Sequence, residues 1–455
     1  MKKEKGITLV ALVVTIIVLL ILAGVTIGLV LGQDGIINKA QTAAQKTNES
    51  QELEILNLAV SEAMQADVIE DKSFEEVFEA AMEGVKNNYP GTTVAKLGSD
   101  FIATMPSGNR YLVDNQGNIT KYESDEELVT VTDVWYKIEG TVLHLSNSDL
   151  GGYTKQEGET SMEQPPAWLD LSQESSLTQV ILENKIAPTS TAFWFAACPN
   201  LTEIGSKVND SYVANSMENL DTRYVTNMMY MFAMDEKLSN IDVSHFDTSN
   251  VTNMSYMFAY CPVMELDVSH FNTSKVTNMF AMFAMCSNIT SLDVTNFDTS
   301  NVTSSNVYDG MAAMFEGCSK LERIDGISEF DTAKATDMSS MFHGCSSLQS
   351  LDLSKWDTSS VIYMTNMFLD CSALQTLKVS NFNISKVTSL GDMFSGCRSL
   401  TELDLTSFDT SNIETNNYYG NMLKDVSCPI KVKTGKWTLT KEQTSYAGAD
   451  FTYVN

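Results

Sequence analysis

The sequence predicts an α+β fold, in which a long apolar N-terminal helix and a small antiparallel sheet precede an α/β solenoid closed by a C-terminal β cap. Three observations predict it. Residues 7–32 carry no charged side chain, residues 100–122 alternate between apolar and polar side chains, and the chain repeats itself from about Phe195 onwards. These patterns are typical of a membrane-length helix, a strand meander and a stacked repeat array, respectively.

The charge balance excludes several classes of function. The 455 residues include 29 Lys and Arg against 58 Asp and Glu, a formal net charge of −29. We expect no nucleic-acid partner, since phosphate contacts need clustered basic side chains. The sequence contains no glycine-rich phosphate loop, no histidine pair at metal spacing and no nucleophile elbow. We therefore predict a protein that is not an enzyme and that holds no cofactor.

The first residues predict membrane attachment. Lys2, Lys3 and Lys5 precede the uncharged run, which as a helix would span about 39 Å against about 30 Å for the hydrocarbon core. Basic residues before such a run predict a single membrane pass with a cytoplasmic N-terminus and an extracellular body. Three interpretations compete: a plain signal anchor, a cleaved secretory signal, whose apolar core would be shorter, and a leader processed in another way.

The junction Lys5-Gly6/Ile7-Thr8-Leu9 resembles the leader of type IV prepilins. The resemblance implies that a prepilin peptidase cuts between Gly6 and Ile7, and that pilus or secretion-assembly subunits are partners. Type IV pilins usually carry Glu five residues after the cut, and this chain has Ala11 there. That difference counts against insertion into an ordered filament.

The next segments are predicted to form a small pilin-like head. Residues 7–66, after the leader 1–6, are expected to be one extended pilin-like helix, and residues 67–125 the head. Ser73-Phe-Glu-Glu indicates a capping box that opens a helix from Phe74 to Lys86. Turn residues divide 100–122 into three strands. A hairpin from Trp135 belongs to a linker and N-terminal cap, residues 126–193.

The repeat is marked by the dipeptide Met-Phe, which falls at 231, 257, 282, 314, 341, 367 and 393. Leucines spaced as in Leu348 to Leu353 predict a short strand in each unit. Val251, Met254, Phe258 and Cys261 are spaced like one helical stripe, with Thr252 as its N-cap. A strand and a short helix per unit predict a solenoid over 194–425, closed by a cap at 426–455.

The recurrent phrase M-F-x-x-C-x-x-L-x-x-L-D-[LV]-S-x-F-D-T-S-x-V-T-N-M resembles the BspA-type leucine-rich-repeat family of bacterial surface proteins. The resemblance implies a role in adhesion and surface interaction. An aromatic residue replaces the asparagine that leucine-rich repeats usually carry. We therefore expect an aromatic stack where other members have an asparagine ladder, formed by Phe246, Phe271, Phe297, Phe330, Trp356, Phe382 and Phe408.

Seven of the eight cysteines share one repeat position, which Asp235 fills once. A stacked array places such residues in a single file, whereas a metal site needs ligands that converge on one point. We expect buried free thiols that pack as small apolar groups, at Cys198, Cys261, Cys286, Cys318, Cys345, Cys371 and Cys397.

Polar residues of the predicted strands form the candidate binding face: Asn240, Asp242, Ser244, Asp267, Ser269, Asp293, Asp325, Asp352, Ser354 and Asp404. Like charges on adjacent strands repel each other, so the recurrence of aspartate at this position of the strands requires an explanation. They either bind a basic partner or Ca²⁺, or form a solvated face in which nearby amide and hydroxyl groups bond each carboxylate. A second series is expected to form turns: Asp247, Asp298, Asp331, Asp357 and Asp409.

Two functions follow from these patterns. In the first, an exported protein displays its solenoid at the cell surface for adhesion or protein recognition, anchored by or assembled through its pilin-like helix. Its partner would be an extracellular protein or a cell-surface ligand. In the second, the chain is a structural minor pilin or pseudopilin of a type IV pilus or secretion assembly, with the solenoid as a tip or spacer.

Overall fold

The computed structural model describes residues 51–455 apart from 62, 64–73, 98–99, 115–116, 122–130, 170–174, 305–308, 412–418, 447 and 449–450. The chain divides into two compact units, Met1–Leu128 and Val129–Asn455. The predicted cleavage site at Gly6 and Ile7, the uncharged run 7–32 and the proposed cap residue Ser73 lie outside the described residues.

The first unit packs two helices on an antiparallel sheet. Residues 51–61 form α1, and α2 spans Phe74–Asn88. Four strands follow one another in the sheet: β1 (Thr93–Leu97), β2 (Asp100–Thr104), β3 (Arg110–Val113) and β4 (Ile119–Lys121). Leu56 and Phe78 of the helices share one buried cluster with Phe101 and Tyr111 of the sheet. The predicted three-stranded meander is confirmed, with β1 as a strand that the sequence pattern did not indicate.

The second unit opens with a six-stranded sheet of order β10-β9-β8-β6-β5-β7. Its strands are β5 (Trp135–Glu139), β6 (Val142–Ser146), β7 (Thr154–Lys155), β8 (Gln179–Leu182), β9 (Glu203–Val208) and β10 (Ser211–Ala214). β5 and β6 form the predicted hairpin. β6, β8 and β9 are parallel, with Leu143 opposite Val180 and Val180 opposite Ile204, so parallel stacking begins at β6.

The later repeats of the second unit, each of which we call a coil, contribute short parallel strands. These are β11 (Ser291–Asp293) with β12 (Arg323–Asp325), β13 (Ser350–Asp352) with β14 (Thr376–Lys378), and β15 (Leu403–Leu405), β16 (Ile430–Lys433) and β17 (Thr452–Val454) together. A 3₁₀ turn at Ile327–Glu329 follows β12, and the short helix α3 (Lys441–Thr444) precedes β17. The middle residues of β11 and β13, Leu292 and Leu351, are buried in the core.

The predicted fold class, an α+β protein with a long N-terminal helix and an α/β solenoid, is wrong. The described residues are mostly strand, bridge and turn, and their α-helices are the short α1, α2 and α3. None of the helices in this part of the chain is long and apolar enough to cross a membrane.

The helical stripe predicted for each repeat fails for a reason that the hydrogen bonds show. The N–H groups of Met254, Tyr256 and Phe258 donate to carbonyls of the next coil at 2.9–3.0 Å, and not to carbonyls four residues earlier. A helix needs the latter bonds in succession. Thr252 is likewise no N-cap, because its Oγ1 donates to the carbonyl of Thr226 in the preceding coil, at 3.1 Å.

Candidate functional site

The Met-Phe turn has one backbone geometry throughout the array. In the described residues it occurs in nine coils, which we number 1 to 9 in chain order. The residues at their Phe position are, in that order, Phe195, Phe232, Phe258, Phe283, Phe315, Phe342, Phe368, Phe394 and Leu423. Alternate N–H groups bond to the next coil, and those between them close four-residue turns, as the N–H of Met257 does to the carbonyl of Met254 and the N–H of Ala259 to the carbonyl of Tyr256. The turn is therefore a ribbon that runs flat against its neighbours.

Every coil holds two residues in the left-handed conformation, two positions before and two positions after the Phe position. In coil 3 these are Tyr256 at φ 56° and Tyr260 at φ 61°. The pairs are Phe193/Ala197, Tyr230/Met234, Tyr256/Tyr260, Ala281/Met285, Ala313/Gly317, Ser340/Gly344, Asn366/Asp370, Asp392/Gly396 and Asn421/Asp425. Only glycine adopts this conformation without cost, and Asn and Asp tolerate it better than other residues.

The core side of the turn is held by a continuous stack of phenylalanines. Rings from Phe195 to Phe394 follow one another at centroid distances of 5.6–5.8 Å, and from Phe232 onwards neighbouring planes lie within 9° of each other. The predicted aromatic series is buried too, and Trp356 stacks on Phe330 at 6.3 Å. The main stack is therefore formed by the phenylalanines of the Met-Phe dipeptides and not by the predicted aromatic series.

The prediction of buried free cysteines is confirmed. All eight are buried and unpaired by disulfides. From Cys261 to Cys397 each thiol donates to the carbonyl of the phenylalanine in the preceding coil, at 2.8–3.1 Å. Burial raises the pKa of the Cys286 and Cys345 thiols to about 12, so the thiolate is disfavoured.

Asp235 occupies the cysteine position in coil 2 and is fully buried. Its Oδ1 accepts the N–H of Cys198 at 2.9 Å, and its Oδ2 has no hydrogen-bond partner. Burial raises the pKa of this carboxyl well above its usual range. A protonated carboxyl could donate through Oδ2, as the thiols do elsewhere in the file.

Two polar series recur along the array, an aspartate that forms a turn within its own coil and a threonine that bonds to the next coil. The predicted turn series is confirmed, since each carboxylate accepts the N–H two residues later, as Asp298 does from Ser300 at 2.9 Å. The threonine at the next repeat position is buried, and its Oγ1 donates to the next coil, as Thr299 does to the carbonyl of Asp331 at 2.9 Å. Thr273, which follows Asn272 at the same repeat position, donates to the carbonyl of Asp298 at 3.0 Å. This buried threonine ladder fills the structural role that we had assigned to aromatic residues.

The carboxylates of the candidate binding face lie in turns of their own. Five of them accept the N–H two residues later, at 3.0–3.1 Å: Asp242 from Ser244, Asp267 from Ser269, Asp293 from Thr295, Asp352 from Ser354 and Asp404 from Thr406. Asn240 is exposed. Asp293 lies opposite Asp325 in the parallel register, whereas Asp352 lies opposite Lys378 and Asp404 opposite Lys431.

Two members of this row, Asp325 and Asp352, form ion pairs. Asp325 pairs with Arg323 at 2.8 Å and Asp352 with Lys378 at 2.6 Å, and the second contact, together with Ser354, lowers the pKa of Asp352 to about 2. Asp242, Asp267 and Asp293 have no lysine or arginine at ion-pair distance among the described residues. Hydroxyl and amide donors lower the pKa of Asp267 and Asp293, so these carboxylates stay ionised.

A second apolar cluster lies apart from the core, on the other side of the turn ribbon. Its buried members are alanines, Ala233, Ala259, Ala281, Ala284 and Ala313, and Tyr230, Tyr256 and Phe280 pack against them half-buried. The rings continue from coil to coil, with Phe193 to Tyr230 at 4.8 Å, Tyr230 to Tyr256 at 4.3 Å and Tyr256 to Phe280 at 5.1 Å. We use the name outer face for the turn residues two positions before, one position after and two positions after the Phe position of each coil, together with Phe280.

The left-handed positions complete the outer face. In coils 2 to 4 the later position is Met234, Tyr260 and Met285, with 39%, 51% and 42% of each residue exposed. In coils 5, 6 and 8 it is glycine, and in coils 7 and 9 it is aspartate. Large apolar side chains thus occupy positions that favour glycine, and they do so only in the N-terminal half of the described array.

The outer face is a candidate surface that was not among the predicted site residues. Its signal was present in the sequence, because reading down the position two residues after Met-Phe gives Met, Tyr, Met, Gly, Gly, Asp and Gly. Within the described residues no group of three or more His, Cys, Asp and Glu side chains could hold a metal ion. The Ca²⁺ alternative for the aspartate row stays untested.

A family model described as "Mycoplasma protein of unknown function, DUF285" matches residues 200–310 and 309–431, just over half of the chain. No curated protein matches it. A crystal structure of a leucine-rich repeat protein from Eubacterium ventriosum aligns at 12% identity over 68% of this chain and 90% of that one, with a TM-score of 0.20. The repeat part of the resemblance is supported, and the prepilin leader stays a prediction.

Proposed function

The chain belongs to the family described as "Mycoplasma protein of unknown function, DUF285", and from that premise we propose that it is a surface-displayed recognition protein. Its stacked coils present a fixed outer face to a partner protein, and attachment of the cell to that partner is the consequence. The basic start and the uncharged residues 7–32 support a membrane attachment with the coils outside the cell.

The exposed apolar side chains at left-handed positions are the observation that carries the proposal. A non-glycine residue costs about 1–2 kcal/mol in this conformation, and Met234, Tyr260 and Met285 each bear that cost. Exposed apolar side chains also favour aggregation unless a partner covers them. The later coils meet the same backbone requirement with Gly317, Gly344 and Asp370. Strain that is kept at exposed positions is typical of binding sites.

The coils keep their main core separate from this surface. The phenylalanine stack and the cysteines belong to the main buried cluster, whereas the alanines and half-buried rings of the outer face form a second one. Repeat arrays use their extended surfaces for recognition in this way, with the backbone fixed by neighbouring units.

Adhesion of cells that carry the full chain tests the proposal. We expect the double substitution Y260G/M285G to abolish adhesion to surfaces coated with cells or extracellular matrix, since glycine keeps the backbone and removes both side chains. The matched control is Tyr363→Gly, because Tyr363 is similarly exposed, at 48%, but lies outside the outer face at a bridge to Asp337 and Ser389. Equal adhesion of both variants would contradict the proposal.

Export is tested separately. Added protease should cut the coils of intact cells, and the cut protein should remain in the membrane fraction. Coils that are protected until the cells are broken would refute the surface location.

A further inference from the structure

We propose that the occupant of the outer face is a cationic, amphipathic polypeptide segment of another protein. This inference rests on the proposed function and names the chemistry of its partner. The apolar residues of coils 2 to 4 would receive the apolar side of the segment, and carboxylates further along the same face would receive its Lys and Arg side chains.

The apolar end is a continuous strip of rings and thioethers. Tyr230, Tyr256 and Phe280 follow each other within 5.1 Å, and Met234 and Met285 flank them on the later column. Methionine and tyrosine are common in surfaces that bind peptides, because the thioether adapts its shape and the ring offers a large contact area at low entropic cost.

The acidic end lies at the same repeat positions in later coils. Glu316 follows the column of Ala284, Asp370 follows the column of Met285, and Asp392 follows the column of Ala281. Glu316 accepts a hydrogen bond from His343 at 2.9 Å and raises the pKa of that histidine. Among the described residues, Asp392 has no lysine or arginine at ion-pair distance, and Asp370 interacts electrostatically with Arg398, whose ion pair, at 2.9 Å, is with Asp425. These carboxylates complement a positively charged partner.

Two glycines join the two ends. A Cβ at Gly317 would lie 2.1 Å from the sulfur of Met285, so this side chain covers the glycine of the next coil. A Cβ at Gly344 would meet only backbone of Gly317, at 3.5 Å. Between Met285 and Asp370 this column therefore has no side chain of its own: Met285 covers Gly317, and the backbone at Gly344 is open to close approach by a partner chain.

Charge also disfavours a second copy of this chain as the occupant. The chain carries a net charge of −29, and two outer faces would place carboxylates against carboxylates or against the apolar strip. Both arrangements cost free energy, since like charges repel and unpaired charges lose hydration.

Binding of a defined peptide tests the partner chemistry. The probe is a labelled 18-residue amphipathic peptide of leucine and lysine, and the receptor is the full chain in phosphatidylcholine nanodiscs, with empty nanodiscs subtracted. We expect Y260G/M285G to weaken binding by about tenfold. D370N/D392N should weaken it several-fold and reduce its dependence on salt. The matched control is D247N/D298N, which removes the same charge from the turn series, where the Oδ1 of asparagine can still accept the turn hydrogen bond, and it should change binding by less than about twofold.

Several results would overturn the inference. One is an equal loss in the control, which would show that only bulk charge matters. Another is equal binding of a peptide with glutamine in place of lysine. A third is a dimer in sedimentation that dissociates on Y260G/M285G, which would make a second copy the occupant. If adhesion depends on Tyr260 and Met285 while peptide binding does not, recognition stands and the cationic partner falls. If neither depends on them, both proposals fall.

Discussion

Tyr260 allows a direct test of the backbone strain on which the proposed function rests. Its φ is 61° and half of the residue is exposed. Tyr260→Ala and Tyr260→Gly remove the same ring, so the two variants differ only in the conformational preference of the new residue. Alanine keeps the left-handed cost of about 1–2 kcal/mol. Glycine removes this cost, but its greater conformational freedom in the unfolded chain lowers the free energy of unfolding by about 0.5–1 kcal/mol. We therefore expect the glycine variant to be the more stable by about 1 kcal/mol.

The comparison is made by urea unfolding of the full chain, followed by tryptophan fluorescence, with Tyr363 as reference. Tyr363 has a similar exposure, at 48%, and is not at a left-handed position. There glycine should be less stable than alanine by about 0.5–1 kcal/mol. The order of the two variants must therefore invert between the two sites. If alanine were the more stable at position 260 as well, the turn geometry and the strain argument would both be wrong.

Three further predictions concern the files that hold the coils together. Thr273→Val leaves the carbonyl of Asp298 without its hydroxyl donor, and should lower the free energy of unfolding by about 1–3 kcal/mol. The control is Thr277→Val at an exposed position, which should lower it by about 0.5 kcal/mol. Equal losses of the two variants in urea unfolding would refute the buried ladder. Because the pKa of Asp235 is raised in the folded state, its contribution to stability is full below about pH 4 and is lost as pH rises through the folded pKa. Asp235→Cys should remove that loss. If the free energies of unfolding of the two proteins changed equally between pH 4 and pH 9, the prediction would be wrong. The buried thiols, Cys286 among them, should not react with iodoacetamide at pH 8 until urea unfolds the coils, and rapid labelling of the native protein would show that the file is accessible.

The sequence predicted those features of the array that depend on repetition. Period, buried cysteines and aspartate turns follow from residues that recur at one position, because identical neighbours must share one environment in a stack. The prediction of a helix in each repeat was wrong because a spacing of 3, 4 and 3 also fits a ribbon whose alternate N–H groups bond to the next coil, as those of Met254 and Phe258 do. Periodicity cannot distinguish these two cases, since both bury the same side chains.

The candidate site was missed for a different reason. Sequence comparison among the coils directs attention to positions that stay the same, such as the phenylalanine stack, and these are the positions that build the fold. The outer face appears only where the coils differ. Its backbone requirement is constant, since every coil needs two left-handed residues, yet its side chains change from Tyr260 and Met285 to Gly344 and then to Asp370. A constant requirement met by glycine in some coils and opposed by tyrosine or methionine in others is not explained by folding, because the opposed coils would be more stable with glycine. The coils that fit the repeat least well at these positions are therefore the ones on which the proposed recognition surface rests.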